Sequence, residues 1–279
     1  MITPGRISVF LIMLIICPLL SIGQHIKEAS RMMLDTTTAQ DRQAGLGVAI
    51  TITDLPGQRF VLEIPEVFTL QRFSGGLLGF RRQNWAFSHD GAQMDLTDGK
   101  FGYSIQLRIV KSKHSIGLKW NMAFRNLSDS TLYDLASFNC WSMNAAPLFK
   151  DIPMERTFVY DSGRKKLPLK DVRKNQGIGK RTMQFYPAVA GIDLSKSPWI
   201  NQWGVISDQY LSGKKISIVS ADSSWLFENI TEGEVAYFFN NWESHHGCLH
   251  ASPLLAKELR PGKTAKAGGI FRFTRIQKQ

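Results

Sequence analysis

Residues 102–125, GYSIQLRIVKSKHSIGLKWNMAFR, decide the fold class. Tyr103, Ile105, Leu107 and Ile109 alternate with Ser104, Gln106 and Arg108. After a polar break over residues 111–114, Ile116, Leu118, Trp120, Met122 and Phe124 alternate with Gly117, Lys119, Asn121 and Ala123. Successive side chains of a strand point to opposite faces, so this period of two sets one face on a core and leaves the other to solvent or ligand. The stretch is therefore predicted to be two long antiparallel strands joined by a short turn.

The same pattern extends outward. Asn126-Leu127-Ser128-Asp129 reads as a turn, and residues 132–142 as a third strand carrying Phe138 and Cys140 on one face. Upstream, residues 48–53 and 59–64 are rich in strand formers and flank the turn Leu55-Pro56-Gly57, while Gly75-Gly76, His89-Asp90-Gly91 and Asp98-Gly99 punctuate the region between. Downstream the chain is irregular through Pro147, Pro153 and Pro168, with a short strand over 156–160. Residues 195–208 read as a long connection holding Trp199 and Trp203, and short strands resume over 215–220, 225–228 and 235–240. No apolar pattern at helical spacing lasts three turns, which argues against βαβ units and a parallel sheet. The predicted class is all-β, an antiparallel β-sandwich with long loops and few helices, and neither an internal repeat nor a linker divides it.

At the start, Arg6 precedes an apolar run over residues 8–22 that is short for a spanning helix, and Ser21-Ile22-Gly23 offers a small-x-small cleavage site. Residues 1–23 are accordingly expected to be an export signal and 24–44 a loose N-terminal segment with room for a short helix. The sandwich domain is expected over 45–279. Cys17 sits in the outline of a lipoprotein signal, but Ile16 is bulky where a small residue belongs. The mature chain is then expected in the periplasm or outside the cell, with no stable membrane insertion. It has roughly 256 residues, enough to bury a core without disulfide staples. Cys140 and Cys248 are its remaining cysteines, and in an oxidising compartment they are either bridged or free.

The formal charge of +11 is uneven. Arg164, Lys165, Lys166, Lys170, Arg173, Lys174, Lys180 and Arg181 share their segment with Asp171 alone, which makes either a solvated loop or a surface for a polyanion. No nucleic-acid partner is expected. Asn126-Leu127-Ser128 and Asn229-Ile230-Thr231 match the glycosylation acceptor pattern. A Gly-rich phosphate loop, a nucleophile elbow and an HExxH pair are all missing from the sequence, which argues against nucleotide hydrolases, α/β-hydrolases and zincin proteases.

Two segments, HSIGLKWNMAFRNLSDSTLYDL (114–135) and PGKTAKAGGIFRF (261–273), resemble the galactose-mutarotase-like β-supersandwich, a group that includes aldose epimerases, polysaccharide lyases and glycoside-hydrolase domains. The resemblance implies the sandwich fold and a carbohydrate partner. It assigns no catalytic residue, although the epimerases of the group use a histidine and a glutamate for proton transfer.

Residues 240–250, NNWESHHGCLH, concentrate the chemistry. Sugar hydroxyls need several donors and acceptors, and a pyranose face needs a flat aromatic surface. Trp242, His245, Asn241 and, from a turn elsewhere, His89 are the expected substrate-binding residues. His250, His246 and Glu243 are the expected catalytic set, since a histidine near neutrality can exchange a proton with a carboxylate as partner. In an extended chain His246, Cys248 and His250 share a face, with Cys140 as a further donor, but the spacing matches no familiar zinc signature. No metal and no cofactor are expected. The function expected is that of an exported carbohydrate-binding protein, either an epimerase-like or lyase-like enzyme or a simple binder. The alternative is a non-catalytic envelope protein that docks a polyanion or a protein through its basic surface.

Overall fold

The computed structural model describes residues 31–41, 47–70, 84–175, 183–188, 192–241 and 247–277. The expected export signal, the Gly75-Gly76 turn, and Lys180 and Arg181 lie outside the described residues. The described chain opens with β1 (Met32–Thr36), β2 (Val48–Ile52) and the long β3 (Arg59–Thr69). A meander follows, made of β4 (Ala86–Phe87), β5 (Gly91–Thr97), β6 (Phe101–Lys111) and β7 (Ser115–Asn126), and leads into β8 (Leu132–Ala145). Shorter pieces come next: β9 (Thr157–Asp161), β10 (Lys166–Pro168), β11 (Gln184–Pro187), the helix α1 (Pro198–Trp203) and β12 (Val205–Ile206). The chain closes with β13 (Leu211–Val219), β14 (Trp225–Thr231), β15 (Val235–Asn240), β16 (Cys248–Leu259) and β17 (Thr264–Arg275).

Among the described residues these strands make two sheets. One has eight strands in the order β1-β2-β3-β8-β16-β15-β11-β12, the other nine in the order β10-β9-β13-β14-β17-β7-β6-β5-β4. The long central strands pair antiparallel, and β11 with β12 in parallel. The sandwich inferred from alternation is thus the fold. β6 and β7 pair from Gly102↔Arg125 to Lys111↔Ile116, and the Ser112 amide donates to the Ser115 carbonyl at 2.8 Å across their turn. Tyr103, Ile105, Leu107, Leu118, Trp120, Met122 and Phe124 are all buried, as the period of two requires.

The main core fills the space between the sheets, where Trp141 of β8 reaches across to Phe227 and Phe271 with ring centroids 4.8 and 4.7 Å away. Phe60 meets Phe273 at 4.9 Å and Phe68 meets Phe124 at 4.7 Å. Each such buried ring contributes about 1.5–3 kcal/mol. A second apolar cluster lies on the opposite, outer face of the eight-stranded sheet, where Phe138, Phe185, Tyr237 and Phe239 are covered by Leu194, Trp199 and Ile200. That cover explains the unbroken apolar run VAYFF over residues 235–239: Phe238 joins the main core while Tyr237 and Phe239 join the outer cluster.

Two expectations from sequence change, and two points the sequence left open are settled. Met32–Thr36, placed in a loose segment with a short helix, is a strand, because it pairs with β2 from Met32↔Ile52 to Thr36↔Val48. β3 does not stop before Pro65 but runs to Thr69, with its register to β8 shifted between Glu63 and Val67. Such a bulge tolerates a proline that a regular ladder would not. Both asparagines of the glycosylation patterns are buried. Asn126 donates to the carbonyls of Ser130 (2.8 Å) and Leu259 (2.9 Å), so it locks a turn and is not open to modification. Cys140 and Cys248 are buried and unbridged. No helix among the described residues is long and apolar enough to cross a membrane.

Candidate functional site

A cavity of about 310 Å³ opens on the outer face of the eight-stranded sheet, within the range of ligand sites. Its floor is a set of cross-strand rows. Glu63 of β3 stands opposite Cys140 of β8, and His250 of β16 opposite Phe239 of β15. Antiparallel continuation from Leu249↔Trp141 sets His250 opposite Cys140, so Glu63, Cys140, His250 and Phe239 cross the floor in line. The next row holds Val61, Ser142, Cys248 and Asn241. Every second residue of β8 from Phe138 to Asn144 therefore faces the cavity, as strand geometry demands.

The walls come from outside the sheet. Trp199 of α1 is pinned, 7 % exposed, with its ring 5.0 Å from Phe138 and 5.9 Å from Phe185. Trp203, one helical turn on, is 42 % exposed and stands at the lip, its ring 6.4 Å from that of Trp199. On the other side Arg59 donates to Asp41 through Nε (2.9 Å) and Nη2 (2.7 Å), which fastens the 37–41 loop to β3. This bidentate bond holds the Asp41 carboxyl below its ordinary range in spite of partial burial.

At the floor the His250 ring is 1 % exposed and neither ring nitrogen has a hydrogen-bond partner among the described residues. It is gripped by aromatic rings, stacked on Phe138 and edge-on to Phe239. Cys140, Cys248 and His250 offer one donor atom each within 4.8 Å of one another, and Glu63, Glu66 and Cys140 form a second such trio. Contact with Cys248, and then burial, pushes the Cys140 thiol well above its ordinary range. Cys248 is held well below it, first by that same contact and further by the His250 ring, against the effect of burial.

Of the residues expected from sequence, His250 and Asn241 line this cavity. The Asn241 Oδ1 accepts from the Cys248 amide at 3.0 Å and ties the end of β15 to the start of β16. Trp242, Glu243, His245 and His246 lie outside the described residues. His89 is not brought to the cavity. It sits in the β4–β5 turn at the edge of the nine-stranded sheet, side chain 91 % exposed, where Asp90 accepts from Ser88 Oγ at 2.9 Å to close the bend.

Glu63, Glu66, Arg59 and Asp41 were missed. A signal existed for two of them, since two carboxylates inside the apolar run RFVLEIPEVFT are costly to bury without a purpose. Alternation would nevertheless send Glu63 and Glu66 to opposite faces. The shifted register between Glu63 and Val67 brings both to the same cavity.

No protein-family model and no curated protein matches this chain. Among solved structures it is similar to the Slr1438 protein of Synechocystis sp. PCC 6803, at 12% identity and a TM-score of 0.46, over 89% of this chain and 92% of that one. It is also similar to a galactose mutarotase-like protein from Clostridium acetobutylicum, at 12% identity and a TM-score of 0.46, over 83% and 94% of the two chains. A galactose mutarotase related enzyme from Lactobacillus acidophilus aligns at 10% identity and a TM-score of 0.43, over 88% and 98%. The chain thus has a weak likeness to galactose-mutarotase-like structures. At these scores the likeness carries no argument about chemistry, which rests on the residues above.

Proposed function

We propose that this chain is an exported carbohydrate-binding protein and that the sugar lies in the cavity on the outer face of the eight-stranded sheet. One observation carries the reading: the half-exposed indole of Trp203 stands at the lip of a cavity whose floor bears the carboxylates of Glu63 and Glu66. A flat aromatic face beside hydrogen-bond acceptors is what a pyranose ring, apolar on its C–H face and polar at its rim, requires. Asn144 and Asn241 add amide groups to the same cavity. A neutral sugar fits better than an acidic one, because the Arg59 guanidinium is already committed to Asp41 and the floor is acidic. Glu63 and Glu66 also supply the proton carriers that an epimerase-like or lyase-like reaction needs.

A glycan array on the full secreted chain, followed by saturation-transfer NMR on the best hits, tests this. Binding to a neutral sugar that weakens in Trp203→Ala and in Glu63→Gln, both still folded by circular dichroism, supports the reading. A folded protein that binds no glycan, or binding untouched by both changes, overturns it.

A further inference from the structure

We propose that Cys140, Cys248 and His250 form a site for a thiophilic divalent cation, Zn2+ fitting best, with one coordination position open to the cavity. Their donor atoms, two Sγ and one ring nitrogen, lie within 4.8 Å of one another. A tetrahedral zinc with bonds of about 2.0–2.3 Å spaces its ligands about 3.3–3.8 Å apart, so small side-chain rotations close the trio on one ion.

The scaffold is rigid where the site needs rigidity. Cys140 comes from β8, and Cys248 and His250 from one face of the adjacent β16, two central strands in fixed register. Stacking on Phe138 and the edge contact with Phe239 set the plane of the imidazole, so its nitrogens cannot swing away. All three side chains are buried.

Among the described residues neither His250 ring nitrogen makes a hydrogen bond of ordinary geometry, although the Cys248 thiol is close enough to feel the ring, and a buried polar atom left unsatisfied costs about 1–3 kcal/mol. A bound cation takes up one of the two nitrogens. Charge points the same way: two thiolates and a neutral imidazole cancel a dication, which makes the burial of all four groups tolerable. Carboxylate oxygens of Glu63 and Glu66 lie within 4.8 Å of the same Cys140 sulfur. Their negative charge favours the cation, and one of them, or a ligand in the cavity, can fill the fourth position.

Two thiolates and one imidazole with an open position is a donor set found where zinc presents a water or a substrate atom. Spacing along the chain hides the set, because the third ligand arrives from another strand 108 positions before Cys248. His250 is then a ligand and not a proton carrier, which leaves the acid–base work of the cavity to Glu63 and Glu66. The site does not rest on the sugar reading, since its ligands and its readout differ from those of sugar binding.

Cobalt(II) titration of the full chain, with Cys140 and Cys248 first shown to be reduced by thiol labelling after unfolding, is the test. The expected result is one ion per chain, with thiolate-to-cobalt charge transfer in the near ultraviolet, tetrahedral bands in the visible, and displacement of both by Zn2+. Cys140→Ser, Cys248→Ser and His250→Ala should each weaken Zn2+ binding by at least the ~10–100-fold that loss of a mere supporting group costs. Near-native circular dichroism in the serine variants separates loss of a ligand from loss of the fold. No charge-transfer band in reduced protein, a band that survives in the double serine variant, or a Cys140–Cys248 disulfide that resists reduction overturns the proposal. Glycan affinity on the same preparations is a separate readout, and failure of one proposal leaves the other standing.

Discussion

The imidazole of His250 lies face-on to the ring of Phe138, with centroids 4.1 Å apart and planes 15° from parallel. Phe138 also meets Trp199 at 5.0 Å and Phe239 at 5.2 Å, so one side chain joins the cavity floor to the wall above it. Phe138→Ala should therefore cost about 3–5 kcal/mol, the toll of a large buried ring and the void it leaves. Phe138→Leu conserves most of the volume and should cost under about 1.5 kcal/mol. It also frees the His250 ring, so binding in the cavity should weaken more than stability falls. Urea unfolding beside a binding titration reads both. A leucine variant as unstable as the alanine one would show that ring shape, and not volume, holds the cluster.

Trp199 and Trp203 sit four residues apart on the same short helix, yet they should respond in opposite ways. Trp199 is nearly buried against Phe138 and Phe185, and Trp199→Ala should destabilise the fold by about 3–5 kcal/mol. Trp203 leaves much of its ring in solvent, so Trp203→Ala should change stability by under about 1 kcal/mol. Its loss should instead remove about 0.5–1.5 kcal/mol of sugar binding, roughly two- to tenfold in affinity. Thermal melts beside saturation-transfer titrations separate the two roles. Equal losses of stability would mean that Trp203 is only a second pin for the loop.

Long strands wrote themselves plainly into the sequence. Residues 103–109 and 116–124 alternate because one face is in the core and the other is not, and that signal is local. The shared face of Phe138 and Cys140, and that of Cys248 and His250, followed from the same period. What no period revealed was that β8 and β16 are neighbours, which turns two half-sites into one. Glu66 was illegible for another reason: a bulge after Glu63 breaks the alternation that would have placed it. β1 was missed because a five-residue edge strand, MMLDT, buries too little to show a pattern and owes its conformation to β2.

Glu228 on β14 is a buried carboxylate that accepts from Lys215 Nζ at 2.6 Å and from Arg272 Nε at 3.0 Å. Burial alone would raise its pKa, but the two cations outweigh burial and hold it below the ordinary 4.5. A carboxylate whose folded-state value is lowered adds stability that is complete above the unfolded value and drains away as pH falls through the folded one. The wild-type protein should therefore lose stability steeply on acidification below about pH 4.5. Glu228→Gln should be less stable at neutral pH by about 1–3 kcal/mol, since it removes charge-assisted hydrogen bonds from a buried position while Lys215 and Arg272 keep access to solvent, and its acid limb should be shallower. Unfolding free energies between about pH 3 and pH 7 check this. Parallel curves for the two proteins would assign the acid sensitivity to other carboxylates.

Gly268 and Gly269 are adjacent in β17, yet only one of them should matter. A methyl group on Gly268 would meet the far end of the Glu232 side chain and the Asn121 amide oxygen, and the exposed Glu232 can move aside. On Gly269 it would collide with the Ile230 carbonyl and stand 2.6 Å from Cζ2 of Trp120, a ring with no exposure at all. Neither neighbour can yield, because the Ile230 carbonyl belongs to the β14–β17 pairing and Trp120 is packed on Phe271 in the main core. Gly269→Ala should then cost at least the ~1–3 kcal/mol of an overpacked core, while Gly268→Ala should stay within about 1 kcal/mol of wild type. Urea midpoints for the two variants decide it. If they agree, β17 has room to slide away from β14, and the central register of the nine-stranded sheet is softer than its continuous pairing implies.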